Sequence, residues 1–126
     1  MNTYYYKKNL VAIKLAKVPK GSVPLTQENQ PLQLVTLKHP KGTYLKAHMH
    51  KPKKRITHSL QECLVVRKGK IKIDLYGADK TLFKSIYLIE GELLILVNGG
   101  YGIHLIKDSE LIEVKNGPFI EDKLLI

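Results

Sequence analysis

Residues 42–69 read GTYLKAHMHKPKKRITHSLQECLVVRKG, a stretch bounded by glycine at both ends and interrupted by a basic run. Its first part, Thr43–His50, alternates between polar and apolar residues, which predicts an extended strand. Side chains on a strand repeat every two residues. Tyr44, Lys46, His48 and His50 therefore share one side, and Thr43, Leu45, Ala47 and Met49 share the other. The last part, Gln61–Arg67, predicts a second strand, and Arg67-Lys68-Gly69-Lys70 reads as a tight hairpin turn in which Gly69 supplies a positive φ.

The same short-strand pattern continues outward from this stretch. Further strands are expected at Leu32–Leu37, Lys70–Tyr76, Thr81–Ile89, Leu93–Val97, Tyr101–Ile106 and Glu110–Lys115. In Lys70–Tyr76 the residues Ile71, Ile73 and Leu75 lie on one face, with Lys70, Lys72 and Asp74 on the other. Leu93–Val97 is apolar throughout, as expected of a strand covered on both sides. Gly, Pro, Asn and Asp recur too often for long helices. Tyr4-Tyr5-Tyr6 and Leu10–Leu15 read as an edge strand or as a surface for a second subunit, and Val18–Pro31 as loop. The fold class is all-β, a sandwich or barrel with little or no helix.

Two imidazoles on one strand face, His48 and His50, suit a pair of metal ligands or a general acid/base pair. Two exposed histidines on the outer face of a sheet would give the same pattern. His39, beside Pro40, reads as an exposed turn residue, and His58 as part of a solvated loop.

In spacing, the stretch resembles the first motif of the cupin superfamily: Gly42, five residues, His48-Met49-His50, then Glu62, six residues and Gly69. It departs from the pattern between His50 and Glu62, where Lys51 to Gln61 insert a long basic segment. A second cupin motif is only partly present: Gly91 and Gly99 are at the right separation, Val97 replaces the proline, and Gly102 occupies the histidine position. His104 lies two residues further on, and Tyr101 stands beside the expected position. The resemblance covers residues 40–118 and implies a cupin-type double-stranded β-helix, a jelly-roll barrel, spanning a single domain of 1–126 with residues 1–30 as an N-terminal segment. Ile112–Phe119 looks like the closing segment of small cupin-like proteins of sugar and polysaccharide biosynthesis.

The resemblance implies two site chemistries. In one, His48, His50, His104 and Glu62 hold a divalent Fe, Mn, Ni or Zn ion. In the other, no metal is needed. His48 or His50 acts as base with Tyr44 or Tyr101 as proton partner, on a nucleotide sugar or similar phosphorylated metabolite in an isomerase or epimerase reaction. Lys46, Lys53, Lys54 and Arg55 would then hold the anionic part of the ligand. The family also implies a homodimer.

Charge supports an anionic partner. The chain has 21 Lys plus Arg against 11 Asp plus Glu, a net charge of +10. A non-enzymatic module, a small-ligand sensor or a nucleic-acid-binding β-barrel, ranks last; for nucleic acid, Arg55 and Arg67 are the only arginines and the tyrosines are scattered apart from Tyr4–Tyr6. The single cysteine, Cys63, sits in an apolar run and reads as a buried thiol compatible with a reducing compartment. The longest apolar run near the start, Leu10–Ile13, is too short for a signal core or a membrane span. A cytoplasmic location is expected.

Overall fold

A computed structural model describes residues 1–126 as ten β-strands without a helix. In chain order these are β1 (Asn2–Tyr6), β2 (Asn9–Leu15), β3 (Gly21–Pro24), β4 (Val35–Lys38), β5 (Glu62–Lys68), β6 (Lys70–Tyr76), β7 (Leu82–Ile89), β8 (Leu93–Leu96), β9 (Gly100–Leu105) and β10 (Glu110–Lys115). No helix is long and apolar enough to cross a membrane. The chain divides into two compact units, Met1–Lys17 with Leu60–Ile126, and Val18–Ser59.

The first unit is a two-layer antiparallel sandwich. One layer has the strand order β1-β2-β8-β5-β10 and the other β7-β6-β9. Both layers keep free edges, so the all-β expectation holds but the strands do not close into a barrel. Alternation builds the core: Ile71, Ile73 and Leu75 of β6 are fully buried against Val11, Ala12, Leu64, Val66 and Leu94 of the facing layer. Each such aliphatic side chain contributes about 1.5–3 kcal/mol on burial. Strand β8 is central in its sheet, and Leu94 and Ile95 are buried on its opposite faces, which explains its unbroken apolar run.

Gly69 has the positive φ expected of it, 94°, but the turn is not a hairpin. β5 pairs with β8 and β10, whereas β6 pairs with β7 and β9, so Gly69 is the corner at which the chain changes layers. A Cβ there would overlap Ser109 and the carbonyl of Asp108. At the start of the chain, β1 and β2 form a hairpin, and β2 sits inside the sheet between β1 and β8.

The second unit contains one antiparallel pair, β3 with β4, in the register Gly21↔Lys38 to Pro24↔Val35. Strand β3 falls within the expected loop, because Val35–Lys38 supplies a partner that local composition does not reveal. The connection between the two strands is pinned by Gln33, whose amide donates to the carbonyls of Gln27 and Gln30 at 2.9 and 2.8 Å. The expected strand Thr43–His50 does not form. It pairs with no other strand and is flanked by Pro40 and Pro52, and every residue from 37 to 60 is exposed.

Candidate functional site

The half-buried polar cluster of the first unit lies between its layers, at the start of β5. Glu62 projects from the same face of β5 as Leu64 and Val66, toward the core. Tyr101 stands opposite Leu75 and thus on the inner face of β9. The Tyr101 hydroxyl donates to Glu62 Oε2 at 2.7 Å, joining the layers. Burial raises the Tyr101 pKa well above the ordinary phenol value, and the adjacent Glu62 carboxylate raises it further. Tyr101 is therefore a fixed hydrogen-bond donor at neutral pH. Lys115, opposite Glu62 on β10, places its ammonium 4.0 Å from Glu62 Oε1 and 3.1 Å from Glu113. Asn116 Oδ1 accepts from the Gln61 amide at 2.8 Å, anchoring the entry to β5 beside the end of β10.

His104 lies on the other side of its sheet. It is opposite Lys72, on the outward face of β9, and its Nε2 donates to Asp74 Oδ2 at 2.6 Å. Asp74 Oδ1 accepts from Ser85 Oγ at 2.6 Å, and Lys72 is 3.8 Å away. The hydrogen bonds from Ser85 and then His104 hold the Asp74 pKa below the usual aspartate range. Asp74 and Ser85 were not among the expected site residues. The signal for Asp74 was a carboxylate in the polar phase of a strongly alternating strand, but its partners depend on strand register.

In the second unit His48 and His50 are exposed on an irregular segment. Their rings nevertheless meet edge to face, with centroids 5.2 Å apart. His48 Nδ1 donates to the Lys46 carbonyl at 2.9 Å. The Tyr44 hydroxyl accepts from the Ala47 amide at 3.2 Å. Lys46, Lys53, Lys54 and Arg55 are all exposed, and Arg55 donates to the Lys53 carbonyl at 3.3 Å.

These positions do not suit one ion on Glu62 and His104 together. Glu62 faces the interlayer space while His104 faces outward into Asp74, and no group of three or more His, Cys, Asp or Glu side chains is gathered as a metal site. What the structure does bring together is Tyr101 with Glu62. Cys63 is buried, as expected, and burial raises its pKa. No protein-family model, curated protein or solved structure matches this chain.

Proposed function

We propose that this chain is a small cupin-type protein that binds a hydroxylated anionic ligand of the nucleotide-sugar class and moves a proton on it through Glu62 and Tyr101. The observation that carries the reading is the 2.7 Å hydrogen bond between the two, half-buried between the layers. A carboxylate has about four acceptor positions, and Tyr101 occupies one. Glu62 thus keeps capacity to take a proton from a carbon beside a carbonyl. When the ligand binds, the single O–H of Tyr101 turns from Glu62 to the ligand's carbonyl oxygen, which frees the carboxylate as base and steadies the developing enolate oxygen. Passage of the neighbouring hydroxyl proton to the former carbonyl oxygen, and return of the carbon-bound proton to the former carbonyl carbon, complete a ketoisomerisation with no net change in atoms or electrons. The net charge of +10 favours the diphosphate of such a ligand.

Thermal unfolding of metal-free protein with uridine and thymidine diphosphate hexoses tests the binding step. A ligand at 100 times its dissociation constant adds about 2.7 kcal/mol, a shift of several degrees. A loss of that shift in Glu62→Gln supports the reading; no shift with any of these ligands contradicts it. A second reading, a divalent metal on His48 and His50 with its remaining ligands drawn from a bound molecule, is supported by the 5.2 Å approach of the rings. Metal content of tag-free protein, before and after reconstitution, separates the two.

A further inference from the structure

Four strands of the sandwich end their sheets: β1 and β10 in one layer, β7 and β9 in the other. A free edge presents a row of unpaired amides and carbonyls, ready to pair with another chain. On β10 every residue except Leu111 is exposed. Ile112 and Val114 lie on its outward face, opposite Val65 and Cys63, and are 49% and 51% exposed. This edge therefore offers apolar side chains as well as backbone groups.

The segment Thr43–His50 has a strand's alternation and lacks an edge. Leu45 and Met49, on its apolar side, are exposed. Its hydrogen bonds are local: the Thr43 amide donates to the Pro40 carbonyl and the Ala47 amide to the Tyr44 hydroxyl, both at 3.2 Å. The chain that carries four free edges leaves this segment unpaired, so the edge that pairs with it belongs to another molecule.

Charge selects which edge. From Lys38 to Leu60 the chain holds seven Lys and Arg and no carboxylate. Among the four free edge strands only β10 contains carboxylates, Glu110 and Glu113. Residues directly opposite each other on antiparallel strands share a face. The antiparallel register that sets Leu45 beside Val114 and Ala47 beside Ile112 therefore also sets Lys46 beside Glu113. Glu113 meets its own Lys115 through Oε1, at 3.1 Å, which leaves Oε2 for a second ammonium.

We infer that Thr43–His50 of one copy adds to the β10 edge of a second copy of this chain as an antiparallel strand. The backbone supplies the pairing, Leu45 and Ala47 cover Val114 and Ile112, and Lys46 with Glu113 fixes the register. Reciprocal exchange makes two identical joints about a two-fold axis and closes the assembly as a dimer. The inference does not rest on the chemistry of Glu62 and Tyr101.

Analytical ultracentrifugation of the full chain, 14.3 kDa, from about 1 to about 100 μM tests it. A concentration-dependent dimer is expected. Lys46→Glu, at an exposed position, should weaken it about tenfold, and combining it with Glu113→Lys should restore most of the loss. Val114→Lys, also at an exposed position, should weaken it at least as much. A chain carrying both Ala47→Cys and Ile112→Cys should form covalent dimers under mild oxidation. A monomer at every concentration, a dimer indifferent to both Lys46→Glu and Val114→Lys, or a cross-link closed within one chain overturns the inference.

Discussion

The Tyr101 hydroxyl on β9 and the Glu62 carboxylate on β5 form a 2.7 Å hydrogen bond that crosses between the two layers of the sandwich. Neither residue is adjacent to the other in sheet or sequence, so the bond exists only when both layers are packed.

The first prediction concerns this coupling. A half-buried hydrogen bond to a charged group contributes about 1.5–3 kcal/mol, less where solvent reaches it. In urea denaturation, Tyr101→Phe should destabilise the protein by about 1–2 kcal/mol. The cycle of Tyr101→Phe with Glu62→Gln should show non-additivity of about 1 kcal/mol. Strict additivity would mean that the bond does not form in solution.

Backbone conformation gives a paired prediction of opposite sign. Gly69 at φ 94° is crowded by Ser109, so Gly69→Ala should destabilise by at least about 1–3 kcal/mol. Lys8 at φ 67° pays a strain that glycine would not, and Lys8→Gly should stabilise by about 1 kcal/mol. Melting temperatures of the two variants, compared with the parent, should move in opposite directions.

Acid and alkaline limbs of stability follow from three groups. Asp79 is lowered to about 2, first by hydrogen bonds from Thr81 and then by Tyr6 and Lys7, and Asp74 is lowered by Ser85 and His104. A depressed aspartate contributes stability that is present above its unfolded pKa of about 3.9 and is lost as pH falls through the folded value. Tyr101 is raised, so its contribution is present below about pH 10 and is lost as pH rises further. Urea midpoints should therefore fall between about pH 4 and about pH 2, and again above about pH 10. Asp79→Asn should flatten the acid limb and Tyr101→Phe the alkaline one.

Much of the sandwich was legible because alternation and burial are local signals. Lys70–Tyr76 forms β6 with the expected inner face, and Glu110–Lys115 forms β10. Gly69 was legible as a positive-φ residue but not as a corner, since a turn's chemistry does not say which sheet the next strand joins. Thr43–His50 shows the converse: the alternation is real, but a strand also has to pair with an edge, and this segment pairs with none. Tyr101 and Glu62 could each be singled out from sequence, but their pairing could not, because it depends on how two layers stack. The Asp74–His104 pair was hidden by register in the same way.

The most direct test of proton transfer is deuterium wash-in. Metal-free protein incubated in D₂O with a nucleotide-linked 4-keto hexose should exchange hydrogen at the carbon beside the carbonyl, read by mass spectrometry. The exchange should be lost in Glu62→Gln and reduced in Tyr101→Phe. Exchange no faster than the protein-free rate, or equal rates for the parent and Glu62→Gln, would contradict the account.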